Sequence, residues 1–386
     1  MGDLEREEVY RIIAREAGCP ISASGLVELM ALPRERLVET ARVLKRYRRL
    51  IHAEDIKRAV RELQAGPKER VLVIPPEVRL GSALRLGWLR GSIIGSVPVA
   101  AAKEKKSCTV FGMIRSGIES LEIEDESGSL VLGEVKGPCF LAAGVCLGLK
   151  GQLVGGKFQV EKVVWPSLGK APEVAGAALV FAGVQPTSSE AVQIKSVLQG
   201  FSQAEIVIEV VIIMTLSEPG NALARVQSHI GKEYPSVEFI VVPSKSVVYP
   251  DLNTGRRGNV TETSNPVAIK IGEGTLLVGA FELIDGLRGQ CTVQGEYRAE
   301  LARVMLSNRS YNPFVTYADL SYADPYAGMV IGDRHGSFVH NEEGKSFGMC
   351  GPFTQDNGQF LFYNPEKQEF EICALNQDST EPSQEQ

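Results

Sequence analysis

Histidine is scarce in this sequence. Four residues, His52, His229, His335 and His340, are spread over 386 positions. Imidazole is the commonest metal ligand and a frequent general base, so a site rich in it has only the late pair, His335 and His340, to draw on. Cysteine does not fill the gap. The seven cysteines, at 19, 108, 139, 146, 291, 350 and 373, are odd in number, widely spaced and free of any C-x-x-C. A zinc ribbon or dithiol redox pair is therefore unsupported, and small buried thiols in a reducing compartment are the expectation. Long apolar runs are missing too: no window approaches the ~20 residues that span a bilayer. The opening Met1-Gly2-Asp3-Leu4-Glu5-Arg6-Glu7-Glu8 is too charged for a signal peptide, and Arg6 breaks the myristoylation pattern. Cytosol or nucleus is the expected setting, with no membrane partner. An excess of positive charge is also lacking, since 41 Lys and Arg face 47 Asp and Glu for a net charge of −6. Phosphate contacts dominate free-standing nucleic-acid affinity, so DNA contact is expected only inside a larger basic assembly.

What is present suffices for two or three domains. Residues 1–65 read as four short helices forming a small bundle. Their apolar positions include Leu4, Val9, Ile12 and Ile13, then Leu26, Val27, Leu29 and Met30, then Leu37, Val38, Val43 and Leu44, and last the run 53–63. Gly18-Cys19-Pro20 stops the first helix, and Ser22 or Ser24 can cap the second. Arg42, Lys45, Arg46, Arg48 and Arg49 make a basic cluster, either a solvated helix face or a contact to acidic protein or DNA backbone. Residues 66–106, broken by Gly66-Pro67 and Pro75-Pro76, read as an extended connector, with Val71-Leu72-Val73-Ile74 as a single strand.

Residues 107–166 carry the strongest pattern. Leu121-Glu122-Ile123-Glu124 alternates apolar and charged residues, as a strand with one wet face does. Asp125-Glu126-Ser127-Gly128 is a turn, and Gly155-Gly156 closes a hairpin between Leu147–Lys150 and Phe158–Val164. About five short strands with Gly-rich turns is the count of an OB-type barrel. Its outward Glu119, Glu122, Glu124, Asp125, Glu126 and Glu134, with few aromatic platforms, suit protein docking better than strand binding. Residues 177–374 alternate strands and helices. Ala177–Ala182 is continuously apolar, as in a strand buried on both faces, Ile206–Met214 reads as a second buried strand, and the whole suggests a layered α/β sandwich. The polar tail 375–386 is expected to be disordered. The fold class is thus multidomain α+β.

Strand ends are where an α/β domain puts its chemistry. Here they read Gly183, then Thr215, then Pro243, Ser244 and Lys245, none of them a ligand that a metal requires. Asp333, His335 and His340 form the only late cluster, too small for a two-metal centre. No Ser has a base beside it in any inferable sense. No catalytic constellation, metal or cofactor is expected. Tyr311, Phe314, Tyr317, Tyr322 and Tyr326 crowd one Pro-containing segment. That segment is either a loop packed on its own domain or a set of anchors for a protein partner, where Tyr is enriched.

Three stretches carry a resemblance. Ile93-Ile94-Gly95-Ser96 leads to Val110–Ile114 and Leu121–Asp125; Phe239–Pro243 forms a second; Val330-Ile331-Gly332-Asp333 through Phe353, with Phe360 to Pro365, forms the third. With the domain order, they resemble the B subunits of eukaryotic replicative DNA polymerases, the epsilon type above the alpha and delta types. The resemblance spans residues 90–373. It implies an OB barrel and a calcineurin-like phosphoesterase domain that has lost its metals. Active relatives have Asp-x-His where this chain has Ala182-Gly183-Val184. They have Gly-Asn-His-Asp where it has Pro243-Ser244-Lys245-Ser246, and Gly-His-x-His where it has Gly332-Asp333-Arg334-His335. It further implies a non-catalytic accessory subunit of the DNA polymerase epsilon complex in the nucleus. Such a subunit grips the C-terminal domain of the catalytic subunit, while the N-terminal bundle tethers other replisome proteins. A residual metal-dependent phosphoesterase is the alternative.

Overall fold

The computed structural model describes residues 20–32, 51–53, 56–57, 59–60, 71–74, 79–80, 83–117, 120–215, 221–243, 255–287, 289–314, 318–319, 322, 324–354 and 358–375, with single positions at 9, 11, 13, 37, 40, 41 and 44. The chain divides into two units, Met1–Arg70 and Val71–Gln386.

In the first unit the helix Ala23–Met30 is opened by Ser22, whose hydroxyl accepts the Gly25 N–H at 3.1 Å. Val9 and Ile13, Leu26 and Leu29, Leu37, Ala41 and Leu44, and Ile56 and Ala59 bury together in one cluster. Their three- and four-residue spacing puts each set on one helical face. The basic cluster Arg42, Lys45, Arg46, Arg48 and Arg49 lies outside the described residues.

In the second unit, residues 66–106 are not extended throughout, contrary to the sequence expectation. β1 (Val71–Ile74) is a strand as expected, but it belongs to a sheet of the later domain. β2 (Arg79–Leu80) follows, then the helix Ala83–Arg90 and a 3₁₀ turn at Val99–Glu104. The helix forms because Leu89, with Ile93, reaches an apolar patch on the barrel made by Phe111, Met113 and Cys146. That burial outweighs the Gly87 in the middle of the helix.

Five strands close into a barrel in the order β3 (Cys108–Ser116), β4 (Leu121–Asp125), β5 (Gly128–Val135), β8 (Lys157–Val164) and β7 (Cys146–Val154). The alternation seen in the sequence sets the register: Ile123, Leu130, Leu132, Phe158 and Val160 all turn inward. Gly155 and Gly156 take φ of +59° and +80°, as a two-residue primed hairpin turn needs. β6 (Cys139–Ala142) leaves the barrel and pairs antiparallel with β16 (Cys291–Gln294) of the later domain.

The later domain is a mixed α/β sandwich. One sheet centres on parallel β9 (Ala177–Val184), β10 (Ile208–Thr215) and β11 (Glu238–Pro243). β12 (Gly255–Arg257) and β13 (Val260–Glu262) extend one side, and β21 (Gln359–Asn364) and β22 (Glu369–Ala374) the other. The second sheet runs β1, β14 (Val267–Ile271), β15 (Gly274–Ala280), β18 (Gly328–Gly332), β20 (Lys345–Cys350), β19 (Phe338–Glu342). The short β17 (Ala318–Asp319) pairs with β2.

The apolar runs alternate between two cores. On β9, Ala178, Val180 and Ala182 face the space between the sheets, whereas Leu179 and Phe181 face the helix Ser188–Gln203. On β18, Val330 faces inward while Met329 and Ile331 face the helix Tyr297–Ser307. That outer core does not stop at the sandwich. Met329, Leu301, Val304 and Met305 bury in the same cluster as the barrel residues Val110, Leu147 and Phe158. Barrel and sandwich therefore share one hydrophobic core. Polar contacts reinforce the seam. Asn308 Oδ1 accepts the Cys146 N–H at 2.7 Å. The buried Arg85 donates to Gly144 O at 2.7 Å and to Pro313 O at 3.3 Å.

Candidate functional site: the carboxyl ends of the strands

The carboxyl ends of β9, β10, β18 and β20 converge at one edge of the sandwich. Ala182 bridges to Pro352, and Asp333 N donates to Cys350 O at 3.1 Å. The ground there is occupied by apolar atoms. A Cβ on Gly332 would collide with Met214 Sδ and lie 3.3 Å from Ala182 Cβ. Gly183, at φ +66°, lets the chain turn off β9, and a Cβ there would meet Pro352 at 2.8 Å.

The polar side chains at this edge are spent on backbone. Asn265 donates to Ala280 O at 2.8 Å and accepts from Ala280 N at 2.9 Å, pinning the loop after β13 to the end of β15. Ser264 donates to Pro266 O, and Thr263 to Val241 O and Ser264 O. Thr215 is buried at the end of β10, and Pro243 ends β11. Ser244 and Lys245 lie outside the described residues.

Asp333 closes β18. It is 6 % exposed, and its carboxylate accepts three backbone N–H groups. Leu283 and Ile284 donate to Oδ2 at 2.6 and 3.1 Å, and His335 donates to Oδ1 at 3.0 Å. The first two open the helix Leu283–Leu287, so Asp333 fixes that helix start against β18. His335 sits close by. Its Nε2 is 3.2 Å from Asp285 Oδ2 and 4.0 Å from Asp333 Oδ1, off the line of a hydrogen bond. Asp285 also pairs with Arg334. Burial would raise the Asp285 carboxyl, but its contacts with Arg334 and His335 outweigh that and hold it below the usual carboxylate range. His340 is elsewhere, on β19, 3.4 Å from Glu342. The structure thus brings Asp333 and His335 together and leaves His340 out.

Asp285 and Arg334 are the members that the sequence reading missed. No spacing signal marks Asp285, which arrives from a different strand connection. The set does not fit a metal pair. Two cations need two carboxylate- and imidazole-rich half-sites, whereas Asp333 is committed to the backbone and a guanidinium neutralises Asp285. Among the described residues, no group of three His, Cys, Asp or Glu side chains is placed to hold a metal ion.

Of the two readings open for the aromatic segment, burial agrees with the packed loop at Tyr311 and Tyr326. Tyr311 and Tyr326 are fully buried, and Tyr326 donates its hydroxyl to Leu306 O. They are core residues, not anchors held out to a partner, because the outer core of the second sheet takes them in. Tyr322 and Phe314 are half-buried against that core, and Phe314 packs on Phe140 with ring centroids 5.8 Å apart. Tyr317 lies outside the described residues. Phe314 also lines a cavity of about 200 Å³ with Ala142, Ala143, Glu282, Leu283 and Asn312, at the seam of barrel and sandwich.

No family model and no curated protein sequence matches the chain. Among solved structures, an archaeal phosphodiesterase is similar at 12 % identity and a TM-score of 0.29, over 52 % of this chain and 99 % of that one. A Thermotoga maritima protein solved by solution NMR is similar at 12 % identity and a TM-score of 0.27, over 52 % of this chain and 100 % of the other. Overlaps this loose assign no family.

Proposed function

We propose that this chain is a non-catalytic accessory subunit of a replicative DNA polymerase, of the epsilon type, acting in the nucleus. On this reading the closed barrel is an OB fold, and the sandwich is a calcineurin-like phosphoesterase domain without its metals. Together they hold the C-terminal domain of the catalytic subunit, and the N-terminal helices tether other replisome proteins. DNA is met only within that complex.

The observation that carries the reading is Asp333. An acid at the end of a central strand is where a hydrolase would place a ligand, and here its oxygens are taken by Leu283, Ile284 and His335 backbone groups. The core shared by barrel and sandwich supports the same reading, because a scaffold needs its docking surfaces held at a fixed angle. The resemblance of residues 90–373 to polymerase B subunits supplies the partner.

Co-purification of the full chain with the C-terminal domains of epsilon, alpha and delta catalytic subunits tests the proposal. A stable one-to-one complex with the epsilon domain is expected. A chain that stays monomeric beside all three domains sinks the proposal, and selective capture by the alpha or delta domain moves the assignment to that type.

A further inference from the structure

The cavity of about 200 Å³ at the seam of barrel and sandwich lies between the helix Leu283–Leu287 and the 312–314 segment. Leu283, Leu287, the Phe314 ring and the barrel residues Ala142 and Ala143 supply its apolar lining. Glu282, Gln290 and Asn312 are its polar side chains, and Glu282 is the one charged group among the described lining residues. The walls are held in place by contacts of their own. Asp333 accepts the Leu283 N–H at 2.6 Å and so fixes the helix start. Ala142 pairs with Cys291 across β6 and β16. Gly144 presses on the 312–314 segment, where a Cβ would stand 2.2 Å from Pro313 O. Arg85 donates to both Gly144 O and Pro313 O. Asn312 Oδ1 accepts the Phe314 N–H at 3.2 Å, and Phe314 rests on Phe140. A site ordered in advance spends less binding energy on ordering itself.

The polar groups have bonding capacity to spare. Among the described residues, the Glu282 carboxylate makes no ion pair and accepts no hydrogen bond. Arg334 feels its charge but is bound to Asp285 instead. A carboxylate without a counter-charge, beside a mostly apolar lining, selects a cation carried on an apolar stem. Guanidinium suits the lining better than ammonium. Its planar fork matches a carboxylate and lies flat on an aromatic ring, and its further N–H groups can donate to the Gln290 carbonyl. The volume is smaller than the roughly 300 Å³ at which sites for drug-sized ligands begin, and suits one side chain.

We propose that this cavity receives an arginine side chain from a partner protein, with Glu282 as its counter-ion and Phe314 as the ring beside the guanidinium. Glu282, Gly286 and Gln290 are exposed, so the cavity is reached from solvent past them while the partner's backbone stays outside. One side chain's worth of contact binds weakly alone and serves as one anchor of a larger interface, a role in which Arg is enriched. The site does not depend on the polymerase reading and stands or falls without it.

Ligand-observed NMR titration of the full chain tests this with the end-blocked peptide Gly-Gly-Arg-Gly-Gly. The control is the same peptide carrying citrulline, which keeps the shape of arginine without its charge. Saturable binding of one arginine peptide per chain, in the millimolar range, is expected, with the citrulline peptide about fivefold weaker. Glu282→Gln should weaken the arginine peptide about fivefold and leave the citrulline peptide unchanged. Ala143→Phe fills the cavity and should bring both peptides below detection. Melting curves establish that the variants are folded, and if Ala143→Phe is not, the exposed Glu282→Gln decides alone. No saturable binding, equal affinity for the two peptides, or an arginine affinity unchanged in folded Glu282→Gln would overturn the site. Methylguanidinium should bind more weakly than the peptide, because it lacks the stem that lies along Leu283 and Leu287. Equal binding by it would overturn the assignment to a partner's side chain.

Discussion

Lys345 is the most informative position to perturb. Burial pushes its amine down from 10.5 to about 7, helped by the Arg309 charge and opposed by Glu343. A basic group whose pKa falls on folding binds fewer protons in the folded chain. Protonation therefore favours unfolding: the penalty is full below pH 7 and fades as pH rises to 10.5. At neutral pH that gap corresponds to about 4 kcal/mol at most. Lys345→Met removes the amine and keeps most of the volume. It forfeits the cation–π contact with Tyr326, worth about 1–2 kcal/mol, and regains part of that through a sulfur–aromatic contact. The variant is expected to be about 2 kcal/mol more stable than the parent at pH 7. The assay is urea denaturation from pH 6 to pH 10 in phosphate-free buffer. Between pH 7 and 10 the advantage should shrink by about 1 kcal/mol per pH unit and then change sign. A difference between parent and variant that stays flat across that range would refute the reasoning, since it would mean that the amine is solvated in the folded chain.

Two further outcomes follow from the packing. Asp333→Ala leaves the Leu283 and Ile284 N–H groups at the start of Leu283–Leu287, and the His335 N–H, without their acceptor, and should cost about 3 kcal/mol in urea denaturation; a carboxylate kept only for metal would leave metal-free stability unchanged. Arg85→Ala removes two hydrogen bonds that tie the barrel to the Pro313 loop and empties a buried volume. Calorimetry should show one transition for barrel and sandwich, lowered in temperature but undivided, and a split into two would mean that the common core does not couple them.

Much of the fold was legible because the barrel and the parallel strands use strict periodicity. Leu121–Glu124 alternates because one face is wet, and Gly155-Gly156 marks its turn by backbone conformation alone. Ala177–Ala182 announces a central strand because both of its faces are covered. The connector was misread because the helix Ala83–Arg90 carries a Gly at its centre and takes its stability from the barrel patch it covers, which no local signal reveals. β12, β13, β16 and β19 were also missed: all are short, β12 and β19 lie at sheet edges, and β16 pairs with β6 some 150 residues away in sequence. The strand-end reading located Asp333 and His335 by adjacency to β18. It could not find Asp285, nor tell that Tyr311 and Tyr326 are core, because a Pro- and Tyr-rich segment reads alike whether it lies on a surface or under one.

The central claim is that the strand ends hold structure together and do not bind catalytic metal. Titrating Mn²⁺ into the purified chain while following hydrolysis of a generic phosphodiester addresses it most directly. The account predicts no saturable Mn²⁺ binding that depends on Asp333 or His335, and no turnover that Asp333→Asn or His335→Ala abolishes. Two Mn²⁺ ions bound per chain, with turnover lost in those variants, would contradict it.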